Sequence, residues 1–211
     1  MRCKAVVAAF LFAVCFLSGC GSTASDYQSY IQGSYDVIYK GEFGDYMSTT
    51  DATEEESLKQ YQLSVDHYVE MLSEKFGLAL SEEEKSDLQA IVKDLLKKVK
   101  YTVEPARKKN DTYFVDVKVE PMDYIDIAVE KSEKLKSGLE ARMKQGEYQK
   151  KEDYQQAYKD GIFTILKESL KEVSYSEEEI FSIPIKVDKN TYHAEPDDLL
   201  EATDYVFKIS K

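Results

Sequence analysis

The chain has no tryptophan, only two histidines and three arginines, and three cysteines that all fall within its first twenty residues. From Gly21 onward no thiol remains. That excludes a disulfide framework, a cysteine nucleophile, a CxxC redox pair and a cysteine-based zinc site from this part of the molecule. His67 and His193 belong to no HExxH or comparable ligand spacing and read as solvated or locally bonded side chains. Basic residues are outnumbered 28 to 40, for a formal charge of -12. Non-specific nucleic-acid binding rests on Lys and Arg neutralising phosphates, so no nucleic-acid partner is expected. Anionic lipid surfaces and teichoic acids would be repelled for the same reason. There is no GxSxG elbow, no Walker loop and no dinucleotide fingerprint. Paired carboxylates are frequent in so acidic a chain and decide nothing. No cofactor is implied, and the chain reads as a non-enzyme.

Long apolar runs are equally scarce. The one present, Ala5 to Leu17, follows Arg2 and Lys4 and falls short of the ~20 apolar residues that a membrane-spanning helix needs. It reads as a signal peptide. A buried N-terminal helix would call for a polar face and a cap, and this segment has neither. It ends on Leu17-Ser18-Gly19-Cys20, which resembles the lipobox of bacterial lipoproteins. The resemblance implies that the Cys20 thiol carries a diacylglyceryl group and that the chain is cut between Gly19 and Cys20. Ser18 and Gly19 are small enough for an extended peptide in a narrow protease site. Removing residues 1–19 would leave 192 residues and move the charge to -14, since Arg2 and Lys4 go with them. A two-chain acyl anchor is sufficient for stable attachment, so the membrane is a partner through the lipid alone. The 25 lysines against three arginines fit an AT-rich genome of the low-GC Gram-positive kind, which would place the domain on the extracytoplasmic face of the cell membrane.

GSTAS, residues 21 to 25, is small and polar, so 20–25 reads as a lipidated tether and 26–211 as one globular domain without an internal linker. Tyr27, Tyr30, Ile31, Tyr35, Ile38 and Tyr39 recur at three and four, predicting a helix that Gly41 ends. A turn or short helix holds Phe43, Tyr46 and Met47. Thr53 with Glu56, and Ser81 with Glu84, form two capping boxes. The first opens a stripe of Leu58, Tyr61, Val65, Tyr68, Val69, Leu72 and Phe76, stopped by Gly77. The second opens Leu88, Ile91, Val92, Leu95, Leu96 and Val99, closed by Lys97, Lys98 and Lys100. The acidic runs at these starts read as caps favoured by the helix dipole, not as metal clusters.

Period 3.6 then gives way to period 2. Tyr101 and Val103, a turn at residues 108–111, then Tyr113, Val115, Val117 and Val119 predict a hairpin. Helices follow from about Asp123 (Ile125, Val129, Leu135, Leu139, Met143) and, past Gly146, through Tyr154 to Val173. Phe181, Ile183, Ile185 and Val187 lead over a turn to Tyr192 as a second hairpin, and Pro196 opens a last helix. Pro184, on the polar parity of its strand, suggests an edge position. Both hairpins read K-N-(D)-T-Y and both end on Glu-Pro before an acidic helix start, either a degenerate ββα repeat or one local solution used twice. The fold class is α+β: N-terminal helices packed on a small antiparallel sheet of about four strands built from two hairpins, with further covering helices.

The lipobox, DVIYKGEF in the first helix and YTVEPA…YFVDVKVEPMDY in the first hairpin resemble a family of small Gram-positive lipoproteins that brings no catalytic residues to carry over. The leading expectation is a surface-tethered module that binds another envelope protein or a peptide. The alternatives are a small-ligand or substrate-binding lipoprotein, which would usually need two α/β lobes around a cleft, and an envelope hydrolase relying on carboxylates. Asp188, Asn190, Glu195, Asp197 and Asp198 offer oxygen ligands, but without EF-hand spacing or its glycine, so no metal site is assigned. Most of the 16 tyrosines fall at core parity, with Tyr148, Tyr154 and Tyr158 the exception around a polar bend. The absence of tryptophan counts against a sugar-binding face.

Overall fold

Thr23 caps the first helix of the domain, which begins at Ala24, two residues ahead of the domain start expected at Asp26. Its side chain accepts from the Asp26 amide while the Asp26 carboxylate accepts from the Thr23 amide, a complete capping box. The structure is a computed structural model and describes residues 15–16, 23–148, 150–188 and 191–207. Its elements in chain order are β1 (Cys15–Phe16), α1 (Ala24–Lys40), α2 (Gly44–Thr49), α3 (Glu54–Phe76), α4 (Glu82–Leu96), β2 (Lys100–Val103), β3 (Arg107–Lys109), β4 (Thr112–Glu120), α5 (Tyr124–Lys144), α6 (Lys151–Ser169), β5 (Glu179–Asp188), β6 (Thr191–Ala194) and α7 (Pro196–Val206). The fold is the expected α+β class.

The boundaries follow the capping chemistry. Thr53 and Ser81 cap α3 and α4 through the predicted boxes with Glu56 and Glu84. Gly41 ends α1 at φ 66, a left-handed conformation that a side chain would strain. Leu58, expected on the α3 stripe, is half exposed, whereas Ser57 is fully buried and donates its hydroxyl to the Thr53 carbonyl at 2.9 Å. Lys100, expected at the end of α4, already belongs to β2. Met143 and Val187 are exposed at the outer ends of their elements.

The strands form one antiparallel sheet in the order β1-β6-β5-β4-β2, with β3 also beside β4. β4 and β5 are the central pair, from Tyr113 opposite Ile185 to Val119 opposite Glu179. Pro184 nonetheless stands at an edge position, although its strand is a central one. The proline is tolerated because pairing with β6 ends at Ile185 opposite Ala194, so at position 184 only β4 lies alongside. The two helices that follow the similar hairpins part company: α7 lies against β4 and β5, while α5 packs on α6.

Val103, Val115, Val117, Val119, Ile183 and Ile185 line the inner face of the sheet and join the apolar faces of the helices in one core that runs from Tyr27 to Phe207. Thr102, Ile180 and Ser182 on the opposite face are exposed. Among the described residues, no helix is long and apolar enough to cross a membrane.

Candidate functional site

The proposed lipid acceptor Cys20 and the cut after Gly19 lie outside the described residues. The candidate surfaces are therefore those of the domain itself, and they begin with its tyrosines. Their rings fill the core and their hydroxyls reach backbone carbonyls on other elements. Tyr35 donates to Leu199 at 2.9 Å, Tyr124 to Leu166 at 3.1 Å, Tyr158 to Phe76 at 3.2 Å and Tyr175 to Lys98 at 2.7 Å. Phe76 closes α3, Leu166 lies in the last turn of α6, and Lys98 follows α4. These are helix-end carbonyls that lack an intrahelical partner. Burial raises the phenol pKa of Tyr35 and Tyr124 above its ordinary value of 10.0, so these groups donate and do not ionise. The abundance of tyrosine thus serves packing and helix ends. Of the half-buried trio around the bend, Tyr148 and Tyr154 meet edge to face at 5.9 Å, while Tyr158 turns back to α3.

The buried polar centre is Asp36. On α1 it faces β2, where Tyr101 donates to its Oδ1 at 2.5 Å; Lys40, one turn on, reaches the same oxygen at 2.7 Å, and Gln32 Nε2 donates to Oδ2 at 2.9 Å. Lys40 Nζ also sits 4.8 Å above the Tyr101 ring. Burial, the hydrogen bond to Asp36 and the Asp36 charge all push the Tyr101 hydroxyl far above its ordinary range. A carboxylate held by three donors and a phenol held protonated form a clasp between α1 and β2.

Beside the clasp lies a cleft of about 270 Å3 lined by Lys40, Lys100, Tyr101, Lys118, Glu120 and Glu178 among others. Each lysine already has a carboxylate: Asp36 for Lys40, Glu120 for Lys100 at 3.2 Å and Glu104 for Lys118 at 2.5 Å. Small-molecule pockets run from about 300 Å3 upward and are mostly apolar, so this one is small and polar for the purpose. One sheet and one core run through the described residues, without the second lobe usual in transporter-serving binding proteins.

The exposed face of the sheet carries the most ordered polar group. Arg107 on β3 makes two parallel bonds to Asp116 on β4, Nε to Oδ2 at 2.8 Å and Nη2 to Oδ1 at 2.9 Å; Nη2 also donates to Ser182 Oγ at 3.0 Å, and Ser182 donates to Asp116 at 2.5 Å. The Arg107 guanidinium holds the Asp116 carboxyl below its ordinary value, and the Ser182 hydroxyl adds to this. Phe114 pairs with Pro184 in register next to this triad, and Ile180 follows Ser182 by one step along the same face, 60% exposed. The result is a rigid patch with an ordered charge pair among apolar groups. No sequence motif marks it, because its members come from three strands and touch only through sheet register.

The sequence-flagged polar residues scatter. His67 lies on α3 with its ring centroid 5.3 Å from that of Tyr68, and His193 on β6 has its Nε2 3.7 Å from Glu195. Of the oxygen donors from Asp188 to Asp198, Asn190 lies outside the described residues and Glu195 is taken by Lys186 at 2.5 Å. Among the described residues no group of three or more His, Cys, Asp or Glu is placed to hold a metal ion.

No family model and no curated protein matches the chain. A solved structure does. It is ycdA, a candidate lipoprotein of Bacillus subtilis subsp. subtilis str. 168, with a TM-score of 0.58 and 16% sequence identity over 88% of this chain. The two proteins share a fold. The match spans 58% of ycdA, so the chain corresponds to little more than half of that protein's length.

Proposed function

We propose that the chain is a lipid-anchored protein of the cell envelope, with Cys20 as the acyl acceptor, whose domain works by binding an envelope protein or peptide and not by catalysis. The observation that carries this reading is where the fold begins. Thr23 caps α1 and the core starts at Tyr27, so only Gly21, Ser22 and Thr23 separate Cys20 from the first helical residue. Four residue steps of at most ~3.6 Å would keep that helix within ~15 Å of the acyl chains. The designation of ycdA as a candidate lipoprotein supports the same reading.

Binding is supported by the open sheet face around Arg107, Asp116, Ser182, Phe114, Pro184 and Ile180, a preorganised mixed patch on a rigid element. The test is crosslinking in intact cells followed by affinity recovery, with Cys20→Ala as control. Recovery of one specific envelope protein, lost when the anchor is lost, is the expected result; recovery of background proteins alone contradicts it.

A second reading, small-ligand binding, has one observation in its favour: the three lysines gathered at the cleft by β2. A thermal-shift screen of residues 20–211 with anionic envelope metabolites tests it, and a Tm rise abolished by Lys100→Ala is the result that would support it.

A further inference from the structure

The two edges of the sheet are chemically unlike. On one side β2 and β3 carry Lys100, Arg107, Lys108 and Lys109, and every β3 residue is exposed. Basic side chains along an edge oppose pairing with a foreign strand. On the other side β6 reads Thr-Tyr-His-Ala, with no lysine, arginine or proline in its four residues. Its position is firmly held. Tyr192 is buried with its ring 5.0 Å from Tyr27 and 5.7 Å from Tyr30, its hydroxyl donates to the Thr49 carbonyl at 3.5 Å, and Ala194 is buried beside it.

The outer side of this unprotected strand is paired with the chain's own β1. Cys15 stands opposite Tyr192 and Phe16 opposite Thr191, antiparallel. Both belong to the apolar run that maturation at Cys20 would remove. On the other side of β6, Tyr192 is paired with Val187, which is 48% exposed. A residue taking the place of Cys15 would therefore extend a cross-strand row of Val187 and Tyr192.

We propose that the β6 edge is a strand-acceptor site that in the mature domain takes an extended apolar segment of an envelope protein, added antiparallel where Cys15–Phe16 stands in the precursor. Main-chain hydrogen bonds to Thr191 and Tyr192 supply the attraction, and the row through Val187 and Tyr192 selects an apolar residue at every second position. The inference rests on the proposed cut ahead of Cys20, which vacates the edge.

The test uses residues 20–211 and a synthetic peptide of residues 12–18 with Cys15→Ser, flanked by lysines for solubility; a second peptide also carries Phe16→Pro. Amide hydrogen exchange is read residue by residue. The expected result is about tenfold slower exchange at Thr191–Ala194 with saturating first peptide and no change with the second, since a proline cannot donate to the ladder. Equal slowing by both peptides, or none, overturns the proposal. So does a concentration-dependent dimer joined through Thr191–Ala194, which would make a second copy the occupant. Protein recovered from cells with residues 1–19 still attached would refute the maturation reading while leaving the peptide result to stand on its own.

Discussion

Tyr101 donates its hydroxyl to Asp36 at 2.5 Å and so joins strand β2 to helix α1 across 65 residues of sequence. The carboxylate is buried, and Lys40 and Gln32 complete its partners. Tyr101→Phe removes one hydrogen bond to a buried charged group, with an expected cost of roughly 1.5–3 kcal/mol in urea unfolding. Asp36→Asn made in the Tyr101→Phe background should cost less than Asp36→Asn alone, because the two groups act as a unit. Additive losses in that double-mutant cycle would show that the clasp is not coupled.

A second tie is sensitive to acid. Lys159 on α6 lies 2.9 and 3.0 Å from the two oxygens of Glu84, which also accepts from the Ser81 amide at 2.7 Å as part of the α4 cap. The Lys159 hydrogen bond first, and the Ser81 cap second, lower the Glu84 carboxyl from 4.5 to about 2. A carboxyl with a depressed folded-state pKa stabilises the fold above its unfolded value, and that contribution fades as pH falls from about 4.5 toward about 2. The Tm difference between the native chain and Glu84→Gln should therefore be largest near neutral pH and shrink through this window. A difference independent of pH would contradict the assignment.

Helix α1 lies so close to α2 at Gly33 that an added Cβ would stand 2.4 Å from the Tyr46 backbone nitrogen and 2.7 Å from its Cα. Backbone cannot rotate away as a side chain can. Gly33→Ala should destabilise by about 1–3 kcal/mol, as overpacking does, despite the better helix propensity of alanine. Gly138→Ala on α5, where an added Cβ meets nothing within 4 Å, is the control and should be neutral or stabilising.

The open sheet face separates binding from folding. Ile180 is 60% exposed, so Ile180→Lys should leave the unfolding free energy within about 0.5 kcal/mol of the parent, as surface substitutions generally do. If the patch around Arg107 and Asp116 is the binding surface, the same substitution should abolish the specific crosslink in cells. A retained crosslink would move the partner to another face.

Much of this architecture is written locally in the chain. Thr53 with Glu56 and Ser81 with Glu84 marked two helix starts, Gly41 and Gly77 two ends, and the alternation from Tyr113 to Val119 a strand with one buried face. What was not legible depends on neighbours that lie far away in sequence. Pro184 marks an edge position, but that this edge lies within the central strand β5, one residue past its pairing with β6, is not written locally. Leu58 belongs to the apolar stripe of α3 by spacing, yet it is half exposed in the first turn while its neighbour Ser57 is buried. The triad of Arg107, Asp116 and Ser182 exists only because β3, β4 and β5 fall into one register, and no spacing along the chain announces it. The tyrosine count was visible, whereas the carbonyls that the hydroxyls reach become known only from the packing of one helix end against another element.

The central claim is that the domain is held at a membrane through Cys20. The most direct test is the intact mass, with N-terminal peptide fragmentation, of the protein extracted from membranes of the native host. The account predicts a chain that begins at Cys20 and carries a diacylglyceryl group on that thiol, and an unlipidated precursor when Cys20→Ala replaces it. A protein that retains Met1–Gly19, or one cut at another bond with a free Cys20 thiol, would contradict it.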